Sequence, residues 1–107
     1  MTKGDKMLES ALQNKITSYL KKQNRFYIKT QGGQSGTQTG TPDIITIDDN
    51  GTLVGLELKR PDHKGSYGVT IEQKHQGEKI KAFNGRWYAI KSFTEFLEVG
   101  GLEKGHE

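Results

Sequence analysis

The sequence predicts an α/β domain, and three observations lead to that prediction. An amphipathic segment comes first, two β-branched segments joined by Asp-Asp-Asn-Gly follow it, and a helix, strand and helix pattern completes the order. The 107 residues, of which 31% are hydrophobic, suit one small core. We therefore expect a single domain over residues 1–99 and a flexible C-terminal tail over residues 100–107.

Composition and charge exclude several classes of protein. The chain has no cysteine, so neither disulfides nor a thiolate metal site can hold the fold together. No segment approaches the roughly 20 apolar residues of a membrane span, and the first residues lack the apolar core of a signal peptide. A cytoplasmic protein with no membrane partner is expected. The net charge of +3 permits a polyanionic partner without requiring one.

The first predicted helix covers "MLESALQNKITSYLKK", whose apolar residues recur at three-and-four spacing. Glu9 falls inside the apolar arc, between the directions of Ile16 and Leu20. One carboxylate is therefore expected to face inward. An acid in the first helical turn also favours the helix dipole and can bend out to water, so both interpretations of Glu9 stay open from the periodicity alone.

A short strand is predicted within "NRFYIKT", and the segment "QGGQSGTQTGT" follows it. That segment has four glycines and no apolar residue, so it cannot contribute to a core. We interpret it as a mobile loop on the substrate side; an inert linker is the alternative.

A β-hairpin is predicted from "DIITI" and "TLVGLELK", which the turn-forming "DDNG" connects. A three-residue loop over Asp49–Gly51 places Asp43 directly opposite Glu57, whereas a two-residue Asn-Gly turn would put the two acids on opposite faces. We favour the first register because Glu57 and Lys59 share one face through the two-residue alternation of a strand, while Leu56 and Leu58 take the other.

Two adjacent carboxylates repel each other unless a cation lies between them, so this register points to a metal site. Oxygen ligands without Cys or a His pair favour Mg²⁺ or Mn²⁺ over zinc. Lys59 would then place an ammonium where it can orient a water and offset charge at a phosphorus atom. The structural alternative is that Asp43 caps a turn while Glu57 and Lys59 form a surface pair.

These residues carry a family resemblance. The dipeptide "PD", about fourteen residues and then "ELK" match the PD-(D/E)xK nuclease signature, and "GTPDIITIDDNG" with "LELKRP" and "VTIEQKHQGEKIKAFNG" resembles its VRR-NUC branch. The likeness runs from about Glu9 to Phe96, and the size resembles the stand-alone members from viruses and prophages. It implies a restriction-endonuclease-like core, a mixed sheet with an antiparallel hairpin flanked by helices. It also implies a metal-dependent, structure-selective nuclease of branched or nicked DNA, working as a homodimer in a bacterial or phage-infected cell.

The resemblance also implies roles for individual residues. Asp43 and Glu57 would be metal ligands, with the backbone carbonyl of Leu58 as a further ligand. Lys59 would be the catalytic lysine. Glu9 would be the acid contributed by the first helix, contacting the metal directly or through a water.

The second helix, expected from about Ile71 to Asn84, supplies one further candidate. The resemblance implies that Gln73 is a site residue, but "TIEQ" is equally a capping box in which Thr70 and Gln73 satisfy the free N–H groups of the helix start. His75 points with Ile71, so we expect a packed histidine rather than a catalytic base.

The remaining strand and helix are predicted in "GRWYAIKS" and "SFTEFLEV". Trp87 and Tyr88 are expected to be core residues, although an aromatic there could also stack a base. Two functional classes remain: a metal-dependent deoxyribonuclease, and a catalytically silent nucleic-acid-binding module of the same fold. A protein with no nucleic-acid partner is the weakest alternative, because it leaves the facing carboxylates uncompensated.

Overall fold

The computed structural model describes residues 3–30, 39–59, 68–100 and 102, with the side chains of residues 3–9, 99 and 100 outside that description. The described chain forms three helices and four strands: α1 (Lys3–Lys22), β1 (Tyr27–Lys29), β2 (Ile44–Ile47), β3 (Leu53–Leu58), α2 (Ile71–Ala82), β4 (Arg86–Ile90) and α3 (Phe93–Gly100). This is the predicted order of elements. None of the described helices is long and apolar enough to span a membrane.

The four strands form one mixed sheet in the order β1-β2-β3-β4. The pairs β1–β2 and β2–β3 are antiparallel, while β3 and β4 are parallel. Parallel neighbours need a crossover connection, and α2 provides it between β3 and β4. The expected mixed sheet with an antiparallel hairpin and flanking helices is confirmed.

The hairpin adopts the register that the three-residue loop predicts. Ile47 pairs with Leu53 and Ile45 with Gly55, and the Asp48 N–H donates to the Thr52 carbonyl at the turn. Gly51 closes the loop with a φ of 83°, a left-handed conformation that glycine adopts without steric cost. Continuing this register by two residues puts Asp43 across from Glu57.

The apolar core lies on one face of the sheet, under α1 and α3. Its buried residues come from both helices, from β2, β3 and β4, and from the segment after α3: Leu12, Ile16, Leu20, Ile44, Val54, Leu56, Leu58, Ile90, Phe96 and Leu102. The alternate residues of β3 point to the opposite face, where α2 packs. The residues Glu57 and Gly55 therefore lie on the α2 face.

Leu102, the one described residue after α3, belongs to the core. Leu102 is 5% exposed, and its carbonyl accepts a hydrogen bond from the Asp49 N–H. Leu102 lies within the segment predicted as a flexible tail, so that boundary left out a docked residue. A lone leucine among glycines and charged residues carries no periodicity, which is why the sequence pattern missed it. Residues 103–107 lie outside the described part of the chain.

Candidate active site

The end of the hairpin brings the two candidate carboxylates to neighbouring strands. Asp43 directly precedes β2, and its Oδ2 accepts a hydrogen bond of 2.8 Å from the Leu58 N–H. Glu57 lies one residue earlier on β3 and is only 2% exposed. This hydrogen bond joins the Asp43 side chain to β3. It does so at the end of β3 where Glu57 and Lys59 face α2.

Glu57 has two polar neighbours on the α2 face. Lys59 Nζ lies 3.8 Å from Glu57 Oε2, and the Lys59 side chain is itself largely buried. The amide nitrogen of Gln73 donates to the same Oε2 at 2.8 Å. Because burial weakens screening by water, these contacts hold the carboxylate more firmly than a surface pair would. Lys59 and Gln73 therefore both lie beside the same carboxylate oxygen, Oε2 of Glu57.

Gln73 also forms the predicted capping box. Its Oε1 accepts a hydrogen bond of 2.9 Å from the Thr70 N–H, and its own N–H donates to Thr70 Oγ1 at 3.1 Å. The amide oxygen therefore faces a donor while the amide nitrogen faces an acceptor, which is the orientation that satisfies both ends of the side chain. The two roles weighed for Gln73, helix capping and contact with the site, are compatible in one conformation.

Gly40 allows the first turn of α2 to lie close to the segment that carries Asp43. Its φ is 89°, and a Cβ at this position would collide with the Glu72 carbonyl and lie 2.9 Å from the Gln73 nitrogen. The contact fixes the start of α2, and with it Gln73, against the "TGTPD" segment. No periodic pattern predicts this contact, and its one signal in the sequence is a glycine three residues before Asp43.

The residues on either side of Asp43 are anchored as well. Thr30, directly after β1, donates its N–H to the Asp43 carbonyl at 2.9 Å and its hydroxyl to the Pro42 carbonyl at 2.6 Å. The Pro42 ring lies over Gly55, where an added Cβ would come within 2.8 Å of the proline Cγ. The backbone of Asp43 is therefore held between β1 and β3.

Two predicted features fall outside the described part of the chain, and a third is corrected by the structure. Glu9 lies within α1, but its side chain is not among those that the structure describes, and neither is the glycine-rich loop at 31–38. His75 is exposed, so the prediction of a packed histidine is wrong. The physical reason is that Ile71 and Ala82, the residues with which it points, face solvent too.

Trp87 and Tyr88 are half-buried on opposite sides of β4. Tyr88 packs against the apolar core. The Trp87 ring packs against α2, where Gly77 leaves room that a Cβ would fill. The expectation of two core aromatics therefore holds in part, since only Tyr88 joins the main core.

The donor atoms at this site are oxygens. Among the described residues no group of three or more His, Cys, Asp or Glu side chains could hold a metal ion. Mg²⁺ commonly takes one or two carboxylates and keeps several waters, so the pair Asp43 and Glu57, with the Leu58 carbonyl, has suitable chemistry for Mg²⁺ or Mn²⁺. Glu9 is the predicted third acid.

A second charged cluster lies at the opposite end of the hairpin. Asp48 accepts hydrogen bonds from the Asn50 and Thr52 N–H groups, both at 2.9 Å, and from Arg86 Nη1 at 3.0 Å. Burial alone would raise the pKa of Asp48, but these bonds outweigh it and lower the pKa below its ordinary value. Burial likewise opposes the charge of Arg86, yet Tyr88 and Asp48 raise its pKa. This cluster ties the hairpin turn to β4 and is structural.

The chain has a restriction-endonuclease-like α/β fold, with acids and a lysine at the end of the central hairpin. A solved structure described as a "VRR_NUC domain" is similar to this chain, with a TM-score of 0.64 and 18% sequence identity over 85% of this chain and 95% of that chain. The predicted resemblance to the VRR-NUC domain is thereby confirmed for the fold. No family model matches the sequence, and no curated protein matches it significantly.

Proposed function

We propose that this protein is a metal-dependent DNA endonuclease that hydrolyses phosphodiester bonds in branched or nicked DNA. The observation that supports this most is the environment of Glu57, a carboxylate 2% exposed whose Oε2 lies beside both Lys59 and Gln73. A surface ion pair would be exposed and would need no amide partner. Ionised groups are buried at a cost, so such a cluster is expected where chemistry requires it.

In this proposal Asp43, Glu57 and the Leu58 carbonyl hold Mg²⁺ or Mn²⁺, and Glu9 contributes directly or through a water. When bound, the metal supplies Lewis-acid polarisation of the phosphate and a more acidic water. The similar structure described as a VRR_NUC domain supports a nuclease-type fold.

The protein residues have separate tasks. Lys59 orients the attacking water and offsets negative charge at phosphorus during in-line displacement. Gln73 is a positioning residue, because its amide nitrogen donates to Glu57 and keeps that carboxylate in one orientation. Asp43 is positioned by the Leu58 N–H. Removing one preorganised donor that faces developing negative charge costs about 10²–10³-fold in rate, which is the loss expected for Lys59.

A homodimer is part of the proposal. The described residues form one such cluster per chain, so two coordinated cuts need two copies, and closed twofold assemblies are the commonest arrangement. Sedimentation equilibrium at the concentration used for cleavage assays is expected to give twice the 12.0 kDa chain mass. A monomer under those conditions contradicts the dimer and leaves the nuclease assignment standing.

The experiment that tests the nuclease compares wild type with Lys59→Ala on labelled duplex, nicked, flap and four-way-junction DNA. Each substrate is incubated with Mg²⁺, with Mn²⁺ or with chelator. Lys21→Ala is the matched control, because Lys21 is an exposed lysine in the last turn of α1. Metal-dependent cutting that only Lys59→Ala abolishes supports the proposal. Tight binding without cutting in either metal instead indicates a silent nucleic-acid-binding module.

A further inference from the structure

A cleft of about 440 Å³ opens between α2 and β4, the strand at one edge of the sheet. Its volume lies within the range of small-molecule binding sites. Its lining residues are Val69, Thr70, Ile71, Lys74, Glu78, Lys81, Trp87 and Ala89. None of them is a member of the carboxylate cluster of Asp43, Glu57, Lys59 and Gln73, although Thr70 caps α2 together with Gln73.

One end of this cleft adjoins the candidate active site. Ala89 pairs with Glu57 in the parallel register of β3 and β4, so the two residues lie about 4.8 Å apart on the same face of the sheet. Val69 directly precedes the capping box in which Gln73 reaches Glu57. A chain lying in the cleft would therefore continue onto Glu57.

The lining combines an apolar surface with two ammonium groups, which outnumber its one carboxylate, Glu78. Ile71 is 76% exposed although it begins α2, and it lies with Trp87 and Ala89 along the cleft. Lys81 Nζ is 5.8 Å from the centre of the Trp87 ring and 3.4 Å from Glu78, while the exposed Lys74 is a second cation of the lining. A ligand that complements both features has a flat apolar part and negative charges, as a nucleotide does.

We propose that this cleft binds an unpaired nucleotide next to the scissile phosphate, with the base against Trp87 and Ile71 and the backbone phosphates facing Lys74 and Lys81. The proposal rests on the nuclease function and names its substrate class. A base stacked and paired within a duplex cannot enter the cleft without being extruded, whereas a base in a flap, gap or junction is already available. The cleft thereby gives a physical reason for selecting branched DNA.

Trp87 is the single tryptophan of the chain, so its fluorescence reports directly on this cleft. Wild-type protein in chelator is titrated with a single-stranded oligonucleotide, with the matching duplex, and with an oligonucleotide of equal length whose central positions are abasic. We expect the single strand to change the emission and to bind about 5- to 150-fold more tightly than the abasic strand, since stacking needs a base. Equal binding of the two strands with unchanged emission overturns the proposal.

Variants provide an independent measurement by fluorescence polarisation of a labelled single strand. Lys74→Ala is expected to weaken binding and to reduce the dependence on salt by about one phosphate contact. Lys79→Ala is the matched control, because Lys79 is exposed on the same helix but does not line the cleft. Ile71→Ala is expected to weaken binding of the normal strand and leave the abasic strand unaffected. An identical effect of Lys74→Ala and Lys79→Ala, together with an inert Ile71→Ala, contradicts the assignment.

The failure of this inference can be distinguished from failure of the nuclease assignment. If the emission change depends on the base but no metal supports cutting, the result supports nucleotide binding in the cleft and contradicts the nuclease function. If cutting depends on metal but the Trp87 emission does not depend on the base, the result supports the nuclease function and contradicts nucleotide binding in the cleft. Trp87→Ala is avoided because the ring also packs against Gly77, and its loss would disturb the contact between α2 and the sheet.

Discussion

The amide nitrogen of Gln73 donates a hydrogen bond of 2.8 Å to Oε2 of Glu57, across 16 positions of sequence. The oxygen of the same amide accepts the Thr70 N–H at the start of α2. One side chain, Gln73, thus caps the N-terminus of α2 and orients a buried carboxylate. A displacement of the first turn of α2 would therefore change the position of the Glu57 carboxylate.

Gln73→Glu separates these two roles. A carboxylate still accepts from the Thr70 N–H, because Glu is a natural partner in a capping box, but it cannot donate to Glu57. The new carboxylate would also face Oε2 of the buried Glu57 and repel it. We therefore expect the free energy of unfolding to fall by about 1–3 kcal/mol without metal, and cleavage activity to fall about 10- to 100-fold, as for other residues that orient metal ligands. Denaturant unfolding and steady-state cleavage measure the two effects.

The control for this prediction is Ser92→Ala. Ser92 Oγ accepts from the Glu95 N–H at the start of α3, on the face of the sheet away from the site. Its loss is expected to cost about 1 kcal/mol of stability while activity stays at the wild-type level. Wild-type cleavage by Gln73→Glu would show that the contact with Glu57 has no catalytic consequence.

Metal binding is expected to stabilise the fold through Glu57. A ligand that binds the folded state alone at 100 times its Kd adds about 2.7 kcal/mol to the free energy of unfolding. Wild-type Tm should therefore rise with added Mg²⁺ or Mn²⁺, and Glu57→Gln should remove the rise because the neutral amide is a weaker ligand. Differential scanning fluorimetry measures Tm with each added metal, with Ca²⁺ for comparison and with chelator as the metal-free reference. A metal-induced rise retained in Glu57→Gln argues that the ion binds elsewhere.

Gly40→Ala is expected to be more damaging than Gly51→Ala, although both glycines have positive φ. A Cβ at Gly51 meets nothing within 4 Å, so its cost is backbone strain of about 1–2 kcal/mol. A Cβ at Gly40 meets the backbone of Glu72 as well, which adds about 1–3 kcal/mol of overpacking. Urea unfolding of the two variants compares them directly. Equal losses of unfolding free energy in the two variants would mean that the start of α2 can move away from an added Cβ at Gly40 without destabilising the fold.

The Asp48 cluster predicts a dependence of stability on pH. Hydrogen bonds lower the pKa of Asp48 in the folded protein, so its contribution is complete above the ordinary Asp value of about 3.9 and is lost as pH falls through the lowered pKa. Asp48→Asn is expected to cost about 1–3 kcal/mol at pH 7. The difference from wild type should shrink below about pH 4, as measured by denaturant unfolding across pH 3–7. A difference that stays constant with pH would exclude the charge as its cause.

Local patterns were sufficient for the order of elements and for the pairing of the hairpin. Side-chain alternation and turn chemistry act over a few residues, so they favoured the three-residue loop before Thr52, with Asp43 opposite Glu57, over a two-residue Asn-Gly turn. The capping box at Thr70 was visible for the same reason. The prediction of a packed His75 was wrong because helical periodicity indicates the side of the helix on which a side chain lies, but not whether another element packs against that side.

The sequence by itself therefore determined the α/β class and the shared face of Glu57 and Lys59, which follow from local backbone geometry, and it favoured the hairpin register that the structure has. Only the tertiary structure decided that Gln73 reaches Glu57, that Asp48 pairs with Arg86 across 38 positions, and that Leu102 joins the core. Those contacts depend on how closely α2 and the last segment approach the sheet. Close packing between distant segments sets that approach, and it has no periodic signature in the sequence.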